Sequence, residues 1–222
     1  MAAYSRPVLR NLFDESPTPH IAHPPQTHCR EFYVATDGSY RPDTDGGLGV
    51  VIETKDGERV ARLSVPHSVP DNNVAEYRAL HLGLDVLAAR TPRTVRVGVL
   101  IDHDDLAANV NRAILAGRGP DTQPPHPFEL PGGTERHWRG IRARVAGFEE
   151  LRAARIDSGD NPAHPLANAP DQYRHVNREP KRCVLPRTDG RPAAPSDDRC
   201  PPPSRADRPR SGGVGGGEPA SD

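Results

Sequence analysis

The sequence is poor in lysine, cysteine, methionine and aromatic residues, and it contains no long apolar run. No stretch of 18 apolar residues occurs, so no transmembrane helix is expected. The N-terminus, MAAYSRPVLRNLFDESP, has no apolar core of the secretory kind, so no signal peptide is expected. Three widely spaced cysteines, Cys29, Cys183 and Cys200, argue against a disulfide framework and a clustered zinc site. The expectation is a soluble, cytoplasmic monomer with no membrane contact and no evident protein partner. Only Lys55 and Lys181 are lysines; the other cations are arginines. The formal net charge is −1, and residues 31–170 hold 16 basic against 20 acidic side chains. No global basic field is available to attract a polyanion, so any such contact must be local.

What the chain has in quantity is proline and glycine, 26 and 20 of 222 residues. These concentrate at the ends. Residues 1–29 carry five prolines and sustain no period of 2 or 3.6, and residues 171–222 run from PPP into SGGVGGGEPASD. Both read as disordered. Patterned sequence occupies residues 30–170, the one expected domain, with an irregular insertion at 117–134.

Within it, residues 32–37, 48–53 and 59–65 read as strands joined by turn clusters, the second turn being Lys55-Asp56-Gly57. This predicts an antiparallel meander. Residues 72–89 read as a helix with Leu80, Leu84 and Leu87 on one face, and 95–101 as a strand. Residues 104–116 and 136–151 read as helices, the second with a stripe of Trp138, Ile141, Val145 and Phe148. A short strand at 152–156 and a short helix at 160–168 follow. The fold class is α/β: a five-stranded mixed sheet with helices on both faces, the first, fourth and fifth strands forming the parallel set.

Three carboxylates break the usual rule that acids face water. Glu76 lies four residues before Leu80 and eight before Leu84, so it shares the apolar face of its helix. Asp37 and Asp102 end the first and fourth strands, where open α/β sheets place ligands. Taken singly, each has an ordinary explanation. Asp37 can serve a turn, Asp102 can cap the helix starting at Asp104, and Glu76 can pair with Arg62 or Arg78. Taken together, they favour a divalent cation, with oxygen ligands pointing to Mg²⁺ or Mn²⁺.

The run Tyr33-Val34-Ala35-Thr36-Asp37-Gly38-Ser39, then Asn72-Asn73-Val74-Ala75-Glu76-Tyr77-Arg78-Ala79-Leu80, then a strand ending in Asp102, resembles the type 1 ribonuclease H family in its compact bacterial and archaeal form. The likeness spans residues 31–170 and implies a ribonuclease H-like fold. It implies a nuclease that cuts the RNA strand of RNA–DNA hybrids with two Mg²⁺ or Mn²⁺ ions, leaving 5′-phosphate and 3′-hydroxyl ends. By this resemblance Asp37 bridges both ions, and Glu76 and Asp102 each help hold one. Asp104 or Asp105 would replace Asp102 if the register shifts. Gly38 lets a backbone amide approach phosphate, with Ser39 beside it, and Asn72 and Asn73 meet the hybrid's minor groove. Asn72 also reads as a plain helix N-cap.

The sequence departs from the pattern in three places. The fourth acid of the family is replaced by His164, within Asn161-Pro162-Ala163-His164-Pro165-Leu166-Ala167. Imidazole can ligate Mn²⁺ but supplies no negative charge. Asp157 and Asp160 are nearby acids. Asp71 stands where relatives often carry threonine, and His103-Asp104-Asp105 follows Asp102. Arg139 and Arg142, flanking Trp138, are candidate phosphate contacts. The alternative to a working nuclease is a weak or inactive nucleic-acid-binding module on the same fold.

Overall fold

A computed structural model describes residues 7–20, 30–43, 45–117 and 128–178. Five strands, β1 (Phe32–Ser39), β2 (Gly46–Thr54), β3 (Arg59–His67), β4 (Arg96–Ile101) and β5 (Glu150–Arg155), form one sheet in the order β3-β2-β1-β4-β5. The first three run antiparallel, and β1, β4 and β5 are mutually parallel. This is the ribonuclease H-like arrangement that the resemblance implies.

Parallel strands need crossovers, and helices supply them. Helix α2 (Asn72–Ala88) links β3 to β4; α3 (Asp104–Ala116) and α4 (Glu135–Val145) link β4 to β5. All three pack on one sheet face, where Val34, Val50, Leu63 and Val99 meet Leu80, Leu84, Val110 and Ile141. The other face carries Tyr33, Ala35, Val51, Leu100 and Ala154. It is covered by α1 (Leu9–Glu15) and α5 (His164–Asn168), followed by α6 (Pro170–Tyr173) and a 3₁₀ turn (Arg174–Arg178). Burial on both faces explains why β1 reads as a nearly continuous apolar run. Among the described residues, no helix is long and apolar enough to cross a membrane.

Helix α1 corrects the expectation of a disordered N-terminal segment at residues 1–29. Leu9 and Phe13, one turn apart, are fully buried, and Phe13 packs edge-on against Tyr33. The Leu9 amide donates to the buried Glu53 carboxylate at 2.9 Å. The Arg30 guanidinium lies 4.7 Å over the Phe13 ring and 3.4 Å from Glu150. Residues 1–6 and 21–29 lie outside the described part. The expected tail at 171–222 likewise begins as structure: Val176 is buried, and Asn177 exchanges hydrogen bonds with the Ser64 backbone. Its remainder, 179–222, lies outside the described residues, as does 118–127 of the expected insertion.

Several boundaries move, most around β5 and α5. Helix α4 ends at Val145, not 151, and β5 begins at Glu150. Phe148 keeps the helical phase in the sequence but is buried from a loop. Helix α5 begins at His164 rather than 160, after a turn in which the Asn161 carboxamide accepts from the Ala163 amide. The outer edge of β5 is closed by a buried side chain. Asn111 of α3 both donates to and accepts from the Ala153 backbone, at 2.8 and 2.9 Å, imitating a further strand.

Because α1 is a packed element, Phe13→Ala should destabilise the protein by about 3–4 kcal/mol in chemical denaturation. A disordered segment would show no change.

Candidate metal centre

The site forms where the carboxyl ends of β1 and β4 meet the start of α2. Thr36↔Ile101 is the last pair of the parallel ladder; Asp37 directly follows Thr36 and Asp102 directly follows Ile101. Helix α2 can lie against β1 because residue 38 is glycine: a Cβ there would stand 2.2 Å from the Ala75 carbonyl carbon and 2.3 Å from the Glu76 amide nitrogen. The Gly38 amide also bonds the Glu76 carboxylate. Gly38 therefore seats the helix beside Glu76 while still lining the cleft.

Asp37 and Glu76 are 3% and 4% exposed. Asp37, Glu76, Asp102 and His164 line one open polar cleft of about 300 Å³. Ligand atoms of Asp37, Asp102 and His164 all lie within 4.8 Å of one another. Glu76 stands beside this group on the α2 wall.

Among the described residues, three buried carboxylate oxygens lack a hydrogen-bond donor: Asp37 Oδ2, Glu76 Oε2 and Asp102 Oδ1. All three belong to this cleft. An unpaired buried carboxylate costs several kcal/mol. Burial, then Asp102, pushes the Asp37 carboxyl up to about 9. Burial, then Asp37 and Asp102, holds Glu76 well above the usual carboxylate range. A divalent cation would supply what these oxygens lack, so the donor set fits one.

His164 starts α5 and brings its Nδ1 to 3.4 Å from Asp37 Oδ2. It is set there by Asn161, Asn168 and Ser39, of which only Asn168 has no place in the sequence reading. The Asn161 carboxamide donates to the Thr36 carbonyl at 2.9 Å, tying the loop before α5 to β1. Asn168, one turn on, places its Nδ2 3.1 Å from the His164 ring and bonds the His164 carbonyl. The Ser39 hydroxyl donates to Asn168 Oδ1 at 2.9 Å. Ser39, expected at the substrate, is thus buried and engaged with the histidine's support. Spacing alone hints at Asn168, four residues after His164; nothing local marks Ser39.

The remaining candidates separate. Asp104 pairs with Arg155 at 2.6 Å and Asp105 is exposed, which leaves Asp102 as the carboxylate of the cleft. Asp157 bridges to the same Arg155, and Asp160 is exposed, so neither compensates for His164. The N-cap of α2 is Asp71, whose carboxylate accepts from the Val74 amide at 2.9 Å; it is not Asn72. The cap of α3 is His103, not Asp102. Its Nδ1 accepts from the Leu106 amide, so its Nε2 donates to Asn73 Oδ1 at 2.9 Å. Asn73 is therefore engaged, whereas Asn72 is exposed and accepts from the Tyr40 amide at 3.3 Å. Arg139 and Arg142 line a separate shallow depression beside Trp138 and Leu130, and Arg142 lies 5.8 Å from the Phe128 ring centre. Trp138 itself is core.

No protein-family model matches this sequence, and a search of curated proteins finds no match. Among solved structures, the chain is similar to the N-terminal RNase H domain of a Mycobacterium tuberculosis protein, with 21% identity over 63% of this chain and 96% of that one, and a TM-score of 0.48. It is similar to RNase H1 from the archaeon Halobacterium salinarum, with 20% identity over 64% and 97%, and a TM-score of 0.49. It is also similar to LC11-RNase H1 in complex with RNA/DNA hybrid, with 20% identity over 63% and 94%, and a TM-score of 0.49. At one residue in five, the chemistry has to be read from the cleft itself.

The raised Asp37 carboxyl has a consequence in metal-free buffer. The folded state holds that proton more tightly than the unfolded chain, so the linked stability is full below pH 3.8 and is lost as pH rises toward about 9. In EDTA, Asp37→Asn should therefore be more stable than wild type at pH 8 by about 1–3 kcal/mol. The difference should shrink toward pH 5. Denaturation curves at the two pH values measure it; a variant less stable than wild type at pH 8 contradicts the geometry.

Proposed function

We propose that this protein is a metal-dependent endonuclease of ribonuclease H type that hydrolyses the RNA strand of RNA–DNA hybrids. One observation carries the reading: the undonated buried carboxylate oxygens converge on one open cleft at the carboxyl ends of two parallel strands. Carboxylates fixed on two strands and a helix are rigid enough to impose a coordination geometry.

In this reading Asp37, Glu76 and Asp102 would hold Mg²⁺ or Mn²⁺, which would supply Lewis-acid activation of water and charge neutralisation at the phosphodiester. His164 offers a nitrogen donor on the Asp37 side, oriented by Asn168. No serine, cysteine or histidine nucleophile is required, because water attacks. Asn72 keeps its side-chain amide available at the cleft rim, where donation to a 2′-hydroxyl distinguishes RNA from DNA.

His164 favours a second reading, a hybrid-binding module that cuts slowly or not at all. A neutral imidazole leaves the site one negative charge short of a four-acid set. It also shifts preference from Mg²⁺ toward Mn²⁺, which accepts nitrogen more readily.

Cleavage of a labelled hybrid with each metal decides between them. Wild type should cut with Mn²⁺, and Asp37→Asn should lose activity by about a thousand-fold or more. His164→Asp should raise the Mg²⁺ rate. Hybrid binding without cleavage in either metal would leave the binding module standing.

A further inference from the structure

His103 joins two helix starts at the rim of the cleft. Its Nδ1 accepts from the Leu106 amide at 3.2 Å and so caps α3. A backbone N–H can only donate, so Nδ1 is bare and the ring's one proton sits on Nε2. That proton faces Asn73 Oδ1, 2.9 Å away in the first turn of α2. Capping alone does not call for an imidazole, because serine, threonine, aspartate and asparagine accept the same bond. What the ring adds is a second nitrogen on its far edge, at a fixed distance from the first. The ring plane is held as well. Fully buried Tyr77, one turn after Asn73, meets it edge-on with the centroids 6.2 Å apart, and Asn109 of α3 donates to the Tyr77 hydroxyl at 3.1 Å.

The consequence falls on the asparagine. A carboxamide has an accepting end and a donating end, and engagement of one decides where the other points. Asn73 turns its oxygen in toward His103, so its NH₂ turns away from the ring. The same holds one residue earlier. Asn72 Oδ1 accepts from the Tyr40 amide at 3.3 Å, and that donor is again a backbone N–H. Both adjacent asparagines thus commit their oxygen inside the protein and have NH₂ as the outward end. Asn72 is exposed and Asn73 half-buried, and Asn72, Tyr40 and His103 all line the cleft.

Two N–H donors side by side match a surface of acceptors. The shallow groove of a nucleic-acid duplex is such a surface: base N3 and O2 atoms and, on an RNA strand, 2′-hydroxyl oxygens. We infer that His103 is a positioning residue that locks the Asn73 carboxamide with its oxygen inward, so that Asn72 and Asn73 together present N–H donors to the acceptors of the bound groove. The inference deepens the nucleic-acid reading of the cleft and rests on it. His103 is then more than a cap beside Asp102: it takes part in recognition, and it does so through Asn73.

His103→Ser separates the two roles, since serine keeps an acceptor for the Leu106 amide but is too short to reach Asn73. Anisotropy of a labelled RNA–DNA hybrid, and of a DNA duplex of the same sequence, is measured against the full chain in EDTA, which keeps metal out of the cleft. His103→Ser and Asn73→Ala should each weaken hybrid binding about 3–10-fold. The two penalties should not add: in the Asn73→Ala background, His103→Ser should cost less than about twofold. A purely structural cap would penalise both backgrounds equally. In the free protein, a long-range ¹H–¹⁵N NMR spectrum should show His103 with a protonated Nε2 and a bare Nδ1, and the Asn73 NH₂ signals should move in His103→Ser. A coupled penalty on the hybrid alone assigns the acceptors to 2′-hydroxyls; one on both duplexes assigns them to base edges. Additive penalties, wild-type affinity in His103→Ser, or a His103 protonated on Nδ1 overturn the inference. Wild type that binds neither duplex overturns it together with the nucleic-acid reading. Hybrid bound with coupled penalties but never cut sinks the nuclease and leaves the positioning role. Hybrid cut with additive penalties does the reverse.

Discussion

The burial of carboxyl groups with too few hydrogen-bond partners is the constraint around which this site is organised: Asp37 and Glu76 are buried, with Asp102 half-buried beside them. Each of the three has a buried oxygen that no hydrogen bond satisfies. Left to themselves, they would move apart or turn outward. They stay because each is fixed by something stiffer than a side chain. Asp37, held in the β1–β2 ladder, and Asp102 directly follow the last pair of the parallel β1–β4 ladder, whose neighbours are buried. Glu76 is on a helix that contacts β1 backbone to backbone at Gly38. The two apolar layers offset the electrostatic cost, and a site strained in the absence of its ligand is the usual trade of stability for function.

A histidine rather than an acid beside Asp37 moves this balance in both directions. A fourth carboxylate beside Asp37 would add repulsion; a neutral imidazole adds none. The protein without metal is easier to fold, and the pull on a hard cation is weaker. The support given to His164 argues against an idle surface residue. Asn168 and Ser39 form a hydrogen-bonded chain behind it, and Asn161 ties its loop to β1. A solvated histidine needs no such support; here it fixes the ring on the Asp37 side of the cleft.

The meander, the three crossover helices and the trio of acids were legible because each depends on local pattern. Alternation marks β3, helical spacing places Glu76 among leucines, and a strand end exposes an Asp. Helix α1 was missed because five prolines in residues 1–29 masked a short pattern, Leu9 and Phe13, whose helix is stabilised by burial against the sheet. The caps were misassigned by one residue, to Asn72 instead of Asp71 and Asp102 instead of His103, since adjacent polar residues carry the same signal. The roles of Gly38, Ser39 and Asn168 depend on what lies across space from them: α2 for the first, each other for the last two. No spacing in the chain encodes those contacts.

Charge, finally, is distributed in a way that fits a local rather than global hold on a polyanion. With a formal net charge of −1, the chain as a whole exerts no long-range pull. Attraction must come from clusters acting within a Debye length, about 10 Å at 0.1 M salt. In the metal-free protein burial keeps protons on Asp37 and Glu76, so the cleft carries little of its potential charge. Its charge develops only as those protons leave, and a divalent cation entering among the same oxygens is what would displace them.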